Sequence, residues 1–174
     1  MNHIGINSFS SHIPRQNLPC KFTAQNNEDD FVDAFHSVYI AKQKKRGISG
    51  KEFALEGFGI ADLVHAQLMP VSKGKANRIG PITAFEMKLK NFKKAVSQTY
   101  RYSYFADQAI AVIPPRKKPL DEKTLQVLKK LGIGIWMFNK SLGTIHKLVT
   151  PCNTKARLPA AHRKACAAIE AHLK

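Results

Sequence analysis

The segment ITAFEMKLK, residues 82–90, constrains this chain more than any other. In an extended strand successive side chains point to opposite faces. Ile82, Ala84, Glu86 and Lys88 therefore share one face, and Thr83, Phe85, Met87 and Leu89 the other. Apart from Glu86 and Lys88 both faces are largely apolar. Glu86 and Lys88 are charges inside that strand, and charge removed from water is costly unless it is paired or bound to a cation. The strand thus points to a polar site within an otherwise apolar strand.

A second carboxylate has the same character. Asp62 lies in the apolar strand IADLV, on one face with Ile60 and Val64. If the two strands are neighbours, Asp62 meets Glu86 and Lys88 in one cleft. Two carboxylates there repel each other, and a divalent cation relieves the repulsion. Hard cations such as Mg²⁺ take oxygen ligands and keep several waters. A cation so held lowers the pKa of a bound water and offsets charge on a phosphate oxygen. A lysine beside it orients the attacking water or balances transition-state charge. Carboxylate, carboxylate and lysine form a minimal set for phosphodiester hydrolysis. The bland alternative is a structural ion pair on an exposed sheet face.

The rest of the chain supplies a frame for this strand. Residues 1–26 show no period and read as an irregular arm, leaving 27–174 as a single domain. Asn27 is a candidate N-cap, and Glu28, Asp29 and Asp30 suit the first turn of a helix over 28–46, with Gly47 as its C-terminal signal. Strands are expected over 52–58 and 60–69, then a basic turn over 71–81. A helix follows over 92–106, with Phe92, Ala95, Val96, Thr99, Tyr102 and Phe105 as its apolar face. Buried strands are expected at 108–113 and 133–139, a helix at 120–132 ending on Gly132, a further strand at 144–149 and a closing helix at 156–173. Alternating strands and helices in the second half require crossovers, while the first half has the short spacing of a meander. The expected class is α/β, a mixed central β-sheet flanked by helices.

Charge points to the partner. Lys and Arg number 28 against 12 Asp and Glu, a formal charge of +16. Such an excess attracts polyanions and speeds encounter with them. No apolar run approaches the roughly 18 residues of a membrane-spanning helix. Cys20, Cys152 and Cys166 do not form a disulfide framework, so a reducing compartment, the cytoplasm, is expected. Cys152, His162, Cys166 and His172 lack the spacing of a zinc knuckle. Phosphate contacts are expected from Lys73, Lys75 and Arg78 in one basic turn and from Arg116, Lys117 and Lys118 in another, with Lys94 and Arg101 on the helix between.

Asp62, followed 24 residues later by Glu86-Met87-Lys88, resembles the signature of the PD-(D/E)XK nuclease superfamily, in a matching order of helix, strand hairpin, helix and strand. Ala61 stands where that signature often has proline. The resemblance spans residues 28–113 and implies a restriction-endonuclease-like fold and a metal-dependent DNA nuclease. It implies Asp62 and Glu86 as ligands of Mg²⁺ or Mn²⁺, joined by the Met87 carbonyl and by Glu28, with Asp33 a weaker candidate. Lys88 would position the water and Gln98, on the next helix, would support the site. Gln98 and Tyr102 stand four residues apart on one helix face. DNA is the implied partner, with a homodimer or partner subunits, and no membrane. The rivals are a non-catalytic DNA-binding subunit of the same fold and an RNA-binding protein whose carboxylates are structural.

Overall fold

The computed structural model describes residues 8–12, 27–70, 78–152 and 154–173. They form one mixed sheet of seven strands whose spatial order repeats the chain order. β1 (Ser8–His12), β2 (Gly47–Leu55), β3 (Gly59–Met69) and β4 (Arg78–Met87) run as an antiparallel meander. β5 (Gln108–Ile113) and β6 (Gly134–Asn139) then join parallel to β4, and β7 (Thr144–Val149) returns antiparallel. α1 (Glu28–Ala41) precedes β2, α2 (Phe92–Tyr102) and α3 (Glu122–Leu131) make the two parallel crossovers, and α4 (Pro159–Ala171) follows the sheet. The α/β class and the mixed, helix-flanked sheet expected from the sequence are the ones the chain adopts. No helix among the described residues is long and apolar enough to cross a membrane.

Two apolar clusters cover the sheet. One packs Phe31, Phe35 and Tyr39 of α1 against Leu63, Phe85, Met87, Trp136 and Phe138. Phe35 is its hub, with ring centroids 5.2 Å from Phe85 and 5.5 Å from Phe138. The other packs Ala95 and Tyr102 of α2, Leu128 of α3 and Ala161, Ala165 and Ile169 of α4 against Ile82, Ala84, Ala111 and Ile135. Ile82 and Ala84 thus face one cluster and Phe85 and Met87 the other, as the alternation along 82–90 requires.

Several boundaries differ from the sequence reading, each for a physical reason. Ser8–His12 lie within the arm read as irregular, yet they pair with β2 as an edge strand, Ser8 opposite Lys51 through His12 opposite Gly47. Edge pairing uses backbone groups, so no side-chain period announces it. α1 ends at Ala41, not 46, because Lys42, Lys44, Lys45 and Arg46 present no apolar face to bury. Gly47 is no helix cap; it opens β2, where a Cβ would come within 2.2 Å of the His65 ring. β2 ends at Leu55, which puts Glu56 in an exposed turn. β4 begins at Arg78, earlier than expected, and runs through Pro81. The missing proline N–H is tolerated there because the β3–β4 register shifts between Ala66 and Leu68, and β5 pairs with β4 only from Thr83 onward. α2 ends at Tyr102, with Phe105 buried in the turn beyond it.

Candidate active site

β4, β5 and β6 run parallel, so their carboxyl ends share one edge of the sheet, the usual place for a site in open α/β sheets. Glu86 and Met87 are the last residues of β4, and Lys88 follows immediately. Leu63 pairs with Phe85 across β3 and β4, which puts Asp62 and Glu86 next in register. The Met87 backbone N–H donates to Asp62 Oδ2 at 2.6 Å, fixing that carboxylate at the strand end. Glu28 arrives from the first turn of α1, and its Oε1 accepts from the Leu89 N–H at 3.4 Å.

Lys88 is the focus of the cluster. Its Nζ lies 3.2 Å from Glu86 Oε1, 3.1 Å from Glu28 Oε2, 3.9 Å from Asp62 Oδ2 and 3.1 Å from the Met87 carbonyl oxygen, to which it donates. Three carboxylates around one ammonium leave two negative charges in excess. For the carboxyls, that surplus and burial act on titration in the same direction. Burial, then the charge of Glu86, push Asp62 up to about 6, against the Met87 N–H and Lys88, which oppose the rise. Burial raises Glu86 as well, opposed by the Tyr102 hydrogen bond and Lys88. Burial alone would lower Lys88, but the charges of Asp62 and Glu86 outweigh it and hold the ammonium above its ordinary value.

Tyr102, expected on the apolar face of its helix and on one face with Gln98, is in direct contact with the cluster. Its hydroxyl donates to Glu86 Oε2 at 2.6 Å and also reaches the Ile60 carbonyl. A buried tyrosine keeps an apolar body and needs a partner for its O–H. The signal was present, because Tyr102 lies on the apolar face of α2, four residues after Gln98. Gln98 is half-buried on that helix, and its Oε1 is enclosed without a hydrogen-bond partner. It makes no hydrogen bond to Asp62, Glu86 or Lys88 among the described residues.

The remaining candidates divide by position. Asp33, the weaker ligand candidate, pairs with Lys51 of β2 and is not among the carboxylates around Lys88. Lys94 lies in the first turn of α2, Arg101 has its guanidinium beside Gly59 at the start of β3, and exposed Arg116, Lys117 and Lys118 follow β5. All five belong to the edge that carries Glu86. Arg78 opens β4 and is eight residues from Glu86, about 26 Å along an extended strand, so it is not brought to the site. Lys73 and Lys75 lie outside the described residues.

The donor chemistry fits a hard divalent cation. Asp62, Glu86, Glu28 and the Met87 carbonyl supply oxygen only, and Glu86 Oε1 is buried with no well-formed hydrogen bond. Among the described residues, no three His, Cys, Asp or Glu side chains are already gathered as a cation-binding group. The oxygens are instead drawn around the Lys88 ammonium. No family model matches the sequence, and no curated protein matches it either.

Proposed function

We propose that this protein is a metal-dependent nuclease acting on DNA, of the restriction-endonuclease-like fold and PD-(D/E)XK type. The observation that carries this reading is the convergence of Glu86 Oε1, Asp62 Oδ2, Glu28 Oε2 and the Met87 carbonyl on Lys88 Nζ at the open carboxyl edge of the sheet. A surplus of negative charge in a protein of +16 is a local exception, and exceptions of this kind mark sites that handle cations or protons.

Asp62, Glu86 and the Met87 carbonyl would hold Mg²⁺ or Mn²⁺, with Glu28 as the outer carboxylate. The bound cation would supply a low-pKa water and offset charge on the scissile phosphate. The chain's own groups do the rest. The Met87 N–H fixes Asp62, and Tyr102 fixes Glu86. Lys88, released from the carboxylates, places the attacking water and balances charge on the phosphate. Lys94, Arg101 and the 116–118 loop surround the same edge and suit the DNA backbone, whose contacts position a substrate without reading its sequence. A reducing, cytoplasmic setting fits the scattered cysteines, and a second copy or partner subunits would enlarge a small binding surface.

The test is cleavage of labelled single-stranded, double-stranded and branched DNA in Mg²⁺, Mn²⁺ or EDTA, by wild type, Glu86→Gln and Lys88→Ala. Metal-dependent cutting lost in both variants supports the reading. The rival, a non-catalytic DNA-binding subunit, draws on the same ion cluster, because Lys88 already pairs with the carboxylates. It predicts binding without cutting, unchanged by either substitution. Preference for RNA with no response to divalent cations would favour an RNA-binding protein.

A further inference from the structure

A cleft of about 170 Å³ opens beside the Lys88 cluster. Its floor is formed by Phe31 of α1 and Phe138 of β6, whose rings pack 5.4 Å apart. Leu89, Pro114 and Pro115 make its walls. These residues come from the loops after β4 and β5, from the end of β6 and from the start of α1, so the cleft lies on the same sheet edge as the catalytic candidates. The join is direct. Leu89 follows Lys88 in the chain, and Asn27, at the rim, precedes Glu28. Leu89 and Asn27 thus tie the cleft through the backbone to Lys88 and Glu28, while the Lys88 and Leu89 side chains alternate to opposite faces.

The rim is polar and weighted toward donors. Asn27 Oδ1 is committed to the Asp30 N–H at 2.7 Å, and Asn139 Oδ1 to the Leu142 N–H at 3.1 Å. What each asparagine has left for a ligand is its amide NH₂. Ser141 adds a hydroxyl, and the Arg116–Lys118 loop continues from Pro115. Flat apolar walls with a donor rim suit a planar ring bearing carbonyl and ring-nitrogen acceptors. The volume is well below the roughly 300–1,000 Å³ of pockets that enclose whole drug-sized ligands. One ring system fits, and a base pair does not.

We propose that this cleft receives one unpaired nucleobase of the nucleotide adjoining the scissile phosphate, which makes single-stranded or splayed DNA the preferred substrate class. The proposal rests on the nuclease reading for the placement of that phosphate at Lys88. A base within a duplex is stacked and paired, and it must leave the stack to enter such a cleft. A single strand presents its bases without that cost. Charge alone predicts the opposite preference, because duplex DNA carries more phosphates per unit length. Tighter binding of a single strand therefore reports contact with bases.

The experiment measures fluorescence anisotropy of the full chain in EDTA with oligothymidylate, with an abasic strand of equal length and with duplex DNA. Wild type is compared with Ser141→Trp, which fills the cleft from an exposed turn and leaves Asp62, Glu86 and Lys88 intact. Wild type should bind oligothymidylate about tenfold more tightly than the abasic strand. Ser141→Trp should lose that difference and keep the abasic affinity. Equal wild-type affinity for the two strands, or an undiminished difference in Ser141→Trp, overturns the cleft assignment. If Ser141→Trp does not fold, the wild-type comparison alone decides. Adding Mg²⁺ or Mn²⁺ separates this inference from the one beneath it. Base-dependent binding with no cutting of any DNA ends the nuclease reading and leaves the cleft standing. Cutting at equal rates with and without a base next to the cut ends the cleft and leaves the nuclease.

Discussion

The hydroxyl of Tyr102 stands 2.6 Å from Glu86 Oε2 and is the only hydrogen-bond donor to that oxygen among the described residues. Tyr102→Phe removes it and leaves a buried carboxylate oxygen without a partner, at a cost of about 1–3 kcal/mol. The hydrogen bond lowers the Glu86 pKa, so it favours the ionised form. The deficit in urea unfolding should therefore be larger at pH 7.5 than at pH 5. Equal deficits at the two pH values would mean that Tyr102 serves packing alone.

Asp62 makes the native protein pH-sensitive in a defined direction. Its folded pKa is raised from 3.8 to about 6, chiefly by burial. A carboxyl that binds its proton more tightly when folded adds stability below its unfolded pKa, and that stability is lost as pH rises through the folded value. In EDTA, wild type should lose on the order of 2–3 kcal/mol between about pH 4 and pH 7 relative to Asp62→Asn. The variant keeps an oxygen to accept from the Met87 N–H but cannot ionise. Parallel stability–pH curves for the two proteins would refute the assignment.

Lys88 offsets part of the carboxylate charge from within the chain, so its removal should increase the demand for an external cation. Lys88→Ala is expected to lose on the order of 3 kcal/mol in EDTA, as when one partner of a buried pair is deleted. Mg²⁺ or Mn²⁺ should restore much of this loss, because a ligand that binds only the native state stabilises it by mass action. Thermal melts with and without cation read the effect, with Glu86→Gln/Lys88→Ala as the control that should respond weakly. Cleavage by Lys88→Ala should fall about 10²–10³-fold even where stability is restored. A variant indifferent to divalent cations would show that the cluster is no cation site.

How much of this was legible in the sequence depends on which force placed each residue. The faces of β4 followed from a period of two, which is written into side-chain order, whereas the meeting of Asp62 with Glu86 also needed β3 beside β4, a condition the pattern left open. Gly132 marked the end of α3 because capping is a local backbone matter, and it adopts a positive φ of 71°, whereas the N-cap Asp121, whose Oδ1 accepts the Thr124 N–H, was missed and the expected helix begins two residues too early. β1 was not legible, since an edge strand is recruited by backbone groups. The start of β2 was hidden as well, because Gly47 and Ser49 are there to fit His65, a partner 16 residues beyond Ser49. The link from Tyr102 to Glu86 needed the α2 crossover in place before the two could be seen as neighbours. Basic residues were the least legible, because charge shows attraction to a polyanion but not which edge of the sheet carries it.

That last ambiguity can be resolved by salt dependence. Lys117 and Lys118 lie on the loop after β5, at the edge that holds Glu86, whereas Arg78 opens β4 at the opposite end. Each phosphate contact makes log K fall with log salt by about 0.7 on single-stranded and 0.9 on duplex DNA. Replacing both lysines with alanine should make the slope less steep by about 1.5 and weaken binding uniformly across sequences. Arg116 is left intact because its guanidinium lies over the Phe92 ring at 5.4 Å, so its loss would also disturb packing. Arg78→Ala should leave both slope and affinity unchanged. The reverse result, a slope that responds to Arg78 and not to the two lysines, would place the DNA on the far end of the sheet and detach it from the carboxylate cluster.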